Sequence, residues 1–121
     1  MRTWQVEFHP VFAEEYHTFS EAVQDALLAE VGLLETFGPQ LNRPHVDTLN
    51  GSRHANMKEL RFSADGGVWR AAVAVGPARQ AIVLVAGDKS GGSEKRFYRQ
   101  LIKKADVRFD DHLARLKEER Q

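Results

Sequence analysis

With 121 residues, 42% of them hydrophobic, the chain has material for one domain over 1–121 with a modest core, and too little for two. It contains no cysteine, which excludes a disulfide framework, a thiolate nucleophile and cysteine-bound zinc. The formal net charge is zero, but residues 1–50 hold two Arg or Lys against eight Asp or Glu, and residues 51–121 hold fifteen against nine. An acidic first half thus precedes a basic second half, a distribution that suits a polyanionic partner or, more blandly, a solvated surface of offsetting charges.

No apolar run approaches the roughly 20 residues of a membrane span, and residues 1–10 lack the basic-then-apolar order of a signal peptide. A cytoplasmic protein without membrane contact is the expectation. Residues 3–8 alternate, with Trp4, Val6 and Phe8 on one face, as a half-buried strand does. Pro10 cannot donate to a ladder but fits the first turn of a helix, so a short helix is predicted over VFAEEYHTF. Ser20 is the expected N-cap of a second helix, whose stripe Val23, Leu27, Val31 and Leu34 is core. Gly38-Pro39 ends it.

Residues 40–56 are polar and broken by Pro44 and Gly51, and read as a surface loop beside the sheet, placed where it could rim a ligand groove. Within it His45 and His54 read as solvent-exposed side chains, since their spacing and the absence of a nearby third ligand make a poor metal site. A meander follows. Strands are predicted over 57–63, 68–76 and 80–86, joined by Ala64-Asp65-Gly66-Gly67 and Gly76-Pro77-Ala78-Arg79. The apolar run Ile82 to Val85 marks an interior strand buried on both faces.

The meander carries cations that an apolar pattern does not require: Arg61, Arg70 and, just after the last strand, Lys89. Alternation puts Arg70 on the face opposite Trp69. If the strands pair in order, the three cations converge on one side of the sheet. Lys58 and Glu59 fall on opposite faces, so only one of them joins that side. Ser93 then caps a long helix with the stripe Phe97, Leu101, Ala105, Phe109, Leu113 and Leu116, an outer face of Lys95, Arg96, Arg99, Lys103 and Lys104, and a frayed LKEERQ end. Tyr98, just inside this helix, lies where it can join the cations. Taken singly, Lys89 in a Gly-rich loop is an exposed lysine and Tyr98 a helix residue with a wet hydroxyl; their shared context raises them together.

The predicted class is α+β, in the order β-α-α-β-β-β-α, with a mainly antiparallel sheet packed against an N-terminal helical hairpin and a C-terminal helix. This order, the helix ending in FGP, the RPHVDTLNGS loop, the strand ending in ELRF, the Trp69-Arg70 strand and GDKSGGSEKRFYRQLIKKA together resemble the RelE/ParE toxin superfamily. The closer likeness is to its HigB-type, phage-derived Gp49-like branch, and it covers nearly the whole chain.

The resemblance implies the toxin of a type II toxin–antitoxin system, neutralised by a HigA-like helix-turn-helix antitoxin and touching operator DNA only through that complex. Such toxins enter the ribosomal A site and cut mRNA without metal or other cofactor, the ribose 2′-OH attacking the adjacent phosphate. Carried over position by position, Arg61 and Arg70 clamp the scissile phosphate, Lys89 stabilises charge or moves a proton, and Tyr98 stacks on a base or positions the nucleophile. Lys58, Arg53, Lys95 and Arg96 are the expected RNA contacts. The chain departs from close relatives after the last strand, where Lys89 is followed by Ser90, Gly91 and Gly92 in place of a second lysine and a TPK-like turn. Two other readings stay open: a ParE-like gyrase poison, and a non-catalytic module that binds antitoxin and operator.

Overall fold

The structure, a computed structural model, describes residues 3–120; Met1, Arg2 and Gln121, the last of which belongs to the expected frayed end, lie outside the described residues. Five strands, β1 (Gln5–Phe8), β2 (Val46–Thr48), β3 (Met57–Ala64), β4 (Gly67–Gly76) and β5 (Gln80–Asp88), form one sheet in the order β1-β5-β4-β3-β2. The helices are α1 (Pro10–Tyr16), α2 (Glu21–Phe37) and α3 (Glu94–Glu119), with a short 3₁₀ turn at Gly38–Gln40. The α+β class and the element order agree with the sequence reading. Two details differ, and the pairing of β1, which the sequence left open, is parallel within the mainly antiparallel sheet. Residues 46–48 are an edge strand where only a loop was expected, because Val46 buries its side chain in the core while pairing opposite Leu60. Strand β1 pairs parallel with β5, since α1 and α2 carry the chain away before the meander begins. The expected frayed end is helical through Glu119.

Local chemistry sets the boundaries. His9 caps α1 with Nδ1 accepting from Val11 N at 3.2 Å, so its proton sits on Nε2, 2.9 Å from Asp111 Oδ2. Ser20 Oγ accepts from Val23 N at the start of α2. Gly38 ends α2 at φ +67°, where a Cβ would also come within 2.2 Å of the Trp4 indole nitrogen, so two independent constraints demand glycine. The β3–β4 turn has positive φ at both Asp65 and Gly66, the twist-matched conformation that an Asp-Gly pair favours.

In the β4–β5 turn the positive φ falls on Ala78 (59°) and Arg79 (56°), which have no such freedom. Replacing Ala78 with glycine should relieve more strain than the added chain entropy costs. The expected gain is about 0.5–1 kcal/mol, read as a higher urea midpoint at unchanged slope.

Alternation along the strands sorts two cores. On one face α1 and α2 cover Leu60, Phe62, Ala71, Val73, Ala81 and Val83 with Phe12, Val23, Leu27, Val31 and Leu34. On the other, α3 lays Leu101, Ala105 and Phe109 over Leu49, Met57, Ala72, Ala74, Ile82, Leu84 and Val85. Leu84 and Val85 are neighbours in sequence yet share that second face, because a β-bulge shifts the β4–β5 register between Ala72 and Val73. The α3 stripe stops covering the sheet beyond Phe109, and Leu113 and Leu116 are exposed.

Arg108 locks α3 to the rest of the molecule. Its guanidinium donates to both carboxylate oxygens of Glu15 at 2.8 and 2.7 Å and to the Leu84 carbonyl at 2.8 Å. β1 pairs with β5 only as far as Val83, so the Leu84 carbonyl lies beyond β1's end. The Arg108 hydrogen bonds hold the Glu15 carboxyl below its usual pKa, against a smaller opposing effect of burial. A depressed carboxylate pKa stabilises the fold above its unfolded value of about 4.3 and loses that contribution as pH falls through the folded value. The stability difference between wild type and Glu15→Gln should therefore be largest near pH 7 and shrink below about pH 4 in parallel urea titrations.

Candidate functional site

The strand register places Arg61 directly opposite Arg70, and Lys89 N donates to the Val68 carbonyl on the same stretch of β4. Met57, Glu59 and Arg61 alternate onto the α3 face of β3, while Lys58, Leu60 and Phe62 turn toward the helical hairpin. Two arginines opposite one another repel unless carboxylates or dipoles separate them. Here each guanidinium has its own acceptors. Arg61 Nη1 donates to Glu59 Oε1 at 2.9 Å; Arg70 donates through Nη1 to its neighbour Trp69's carbonyl at 2.9 Å and through Nε to the Tyr98 hydroxyl at 3.2 Å.

The β5 partner of Arg70 is Gly87, where a Cβ would come within 3.0 Å of the Phe97 ring, so glycine lets the start of α3 lie close against the strand. Lys89 Nζ donates to Glu94 Oε1 at 2.8 Å and lies 6.0 Å from the Tyr98 ring centroid, at the outer range of a cation–π contact.

Burial sharpens this cluster. Arg70 is only 5% exposed and Glu59 only 4%. Glu59 Oε2 is buried and accepts no hydrogen bond of ordinary geometry, although the Tyr98 hydroxyl is near enough to sense its charge. Burial first, and the Glu59 carboxylate second, push the Tyr98 phenol above its usual range, with the Arg70 hydrogen bond pulling the other way. Tyr98 is consequently a protonated donor at neutral pH. From Glu59, Arg61 and Tyr98 an open groove of about 350 Å³ runs to Asp47, Thr48 and Asn50 at the sheet edge, so the 40–56 segment does rim a groove.

The four residues expected to act together, Arg61, Arg70, Lys89 and Tyr98, are thus neighbours. The expected RNA contacts divide. Lys95 and Arg96 are exposed on the first turn of α3, beside Lys89 and Glu94. Lys58 lies outside the cluster: it faces the helical hairpin and donates to Thr48 Oγ1 at 3.2 Å. Arg53 is also elsewhere, its guanidinium paired with Asp110, about 18 Å along α3 from Tyr98 at the usual helical rise.

The two histidines are not free solvent-exposed side chains. His45 Nδ1 meets Glu30 Oε2 at 3.0 Å, while His54 Nε2 meets Asp110 Oδ1 at 2.9 Å with its ring edge-on to Phe109. Among the described residues no group of three or more His, Cys, Asp or Glu is arranged to hold a metal ion. Sequence reasoning missed two participants. Alternation leaves Glu59 undecided against Lys58, and nothing in the strand pattern singles out Glu94; the signal for Glu94 was its position five residues after Lys89.

Three cations, a phenol and a buried carboxylate on one sheet face suit a substrate with a phosphate and an adjacent hydroxyl. Residues 14–110 match the family described as "Phage derived protein Gp49-like (DUF891)". The chain is 45% identical over 95 residues to "Putative toxin HigB2" of Mycobacterium tuberculosis, a match covering 78% of this chain and 47% of that protein, so the chain spans about half the length of this relative. It is 47% identical over 94 residues to "Putative toxin HigB3" of the same organism, covering 75% of this chain and 80% of that one. In fold it is similar to the crystal structure of the archaeal RelE–RelB complex from Pyrococcus horikoshii OT3. That match has a TM-score of 0.56 at 17% identity over 74% of this chain and 99% of the other. By the extent of the matched segment and the identity to both relatives, the chain belongs to the Gp49-like family, the HigB-type branch of the RelE/ParE superfamily.

Proposed function

We propose that the chain is the toxin of a type II toxin–antitoxin pair and cuts mRNA on the ribosome. The observation that carries this reading is the grouping of Arg61, Arg70, Lys89 and Tyr98 on one face of the sheet, with the buried Glu59 carboxylate held by Arg61 and approached by Tyr98. Glu59 takes the proton of the ribose 2′-OH as that oxygen attacks phosphorus. Arg70 and Arg61 hold the non-bridging phosphate oxygens, where their planar donors meet charge that grows in the transition state. The bond from phosphorus to the 5′ oxygen breaks, and the Lys89 ammonium supplies the proton to that oxygen. The products are a 2′,3′-cyclic phosphate and a 5′-OH end. Tyr98, kept protonated, donates to the phosphate or to the attacking oxygen.

Lys95 and Arg96 extend the positive surface toward the rest of the message and the ribosome. A HigA-like helix-turn-helix antitoxin neutralises the toxin in the cytoplasm, and operator DNA is reached only through that complex.

Induced expression in a bacterium, with 5′-end mapping of mRNA, tests the reading. Arrest with new 5′-OH ends in translated regions, suppressed by the co-expressed antitoxin, is the expected result. Arrest with intact messages and a DNA-damage response would overturn it in favour of a gyrase poison. A folded chain without arrest would leave a non-catalytic binding module.

A further inference from the structure

The groove beside the cluster is larger than phosphate chemistry needs. One wall is Glu59, Arg61 and Tyr98; the other is Asp47, Thr48 and Asn50 from β2 and the loop after it. Two polar groups of its lining make no ordinary hydrogen bond among the described residues. Glu59 Oε2 is buried with only the Tyr98 hydroxyl approaching it, and the exposed Asn50 carboxamide makes no hydrogen bond with any described residue. Its neighbours are committed: Asp47 accepts from Arg43 and from Thr48 N, and Thr48 Oγ1 accepts from Lys58. A free carboxamide, presenting a donor beside an acceptor, matches the hydrogen-bonding edge of a nucleobase.

We propose that this groove is a nucleobase pocket, read by Asn50, for the nucleotide on the 5′ side of the cut. This inference rests on the nuclease reading. The logic is positional. If Glu59 Oε2 receives the 2′ proton, the ribose bearing that hydroxyl stands over Glu59 and Arg61. Its 3′ phosphate then points toward Arg70 and Lys89, and its base points along the groove to Asn50. The Tyr98 ring, which lines the groove, offers a stacking face on the way. Asn50 is therefore a specificity residue, acting on which message positions are cut.

Two measurements test this with the full chain. Mapped 5′ ends should show a nucleotide skew immediately 5′ of the cut of roughly fivefold or more, the lower end of what one bidentate side chain–base contact provides. Asn50→Ala should cut less often and flatten the skew. Asn50→Asp, which can only accept, should move the skew toward bases with exocyclic amines. A skew unchanged in both variants would overturn the pocket while leaving the nuclease reading intact.

The second measurement is titration with nucleoside 3′-monophosphates against ribose 3-phosphate, followed by NMR shifts of the Asn50 amide. Affinity should depend on the base, and that dependence should vanish in Asn50→Ala. Base-dependent binding without any cutting would sustain the pocket and sink the nuclease. Equal binding of all nucleotides and the abasic sugar would sink the pocket.

Discussion

Arg70→Ala should abolish growth arrest and lower single-turnover cutting of ribosome-bound message by about 10² to 10³, the usual loss for one preorganised donor to a transition-state oxyanion. The residue is almost fully buried and spends one N–H on Tyr98 and another on the Trp69 carbonyl, so its position is set before any substrate arrives. Truncation also leaves the Tyr98 hydroxyl without that donor and opens a small void, at a stability cost of about 1–3 kcal/mol. A thermal melt of the variant must accompany the kinetics for that reason. Arg70→Lys is the informative second variant. It keeps the charge but not the planar fork, so it should recover folding more completely than cutting. If both variants remain folded and cut as fast as wild type, Arg70 has no part in the chemistry.

Glu59→Gln should lower the rate by about 10² to 10⁴, the range for loss of a positioned general base, with little change in stability. The substitution preserves shape and leaves an oxygen for Arg61, whose guanidinium is partly open to solvent and does not become a buried, unpaired charge. What disappears is the ionisable oxygen of a buried carboxylate that the Tyr98 hydroxyl approaches, and with it the capacity to take a proton. Glu59→Asp retracts that oxygen by one methylene and should fall between the two. Full activity in Glu59→Gln, with Tyr98→Phe inactive, would transfer the proton-accepting role away from Glu59.

Local chemistry in the chain was sufficient for most of the fold. Ser20, Gly38 and Ser93 announced helix ends because caps satisfy backbone groups within a few residues. Asp65-Gly66 announced its turn because few residue pairs tolerate two positive φ angles. The period of two put Arg61 and Arg70 on definite faces of their strands, and the i, i+4 stripe of α3 named Leu101, Ala105 and Phe109, which meet the sheet, along with Leu113 and Leu116, which do not.

Tertiary structure alone decided which face mattered. Alternation separates Lys58 from Glu59 but does not say which face α3 covers; that depends on how the whole chain packs, and it brings Glu59 to Tyr98 and sends Lys58 to the hairpin side. The same limit hid the pairing of Arg53 and His54 with Asp110, more than fifty residues away in sequence, and the anchoring of the Ser52 hydroxyl and Arg53 N on the buried Asp106. These loop side chains gave no periodic signal, and their partners look like surface acids on a helix. Long-range pairs of single polar residues leave no local pattern, since nothing in either segment by itself favours the contact until the sheet and α3 hold them together.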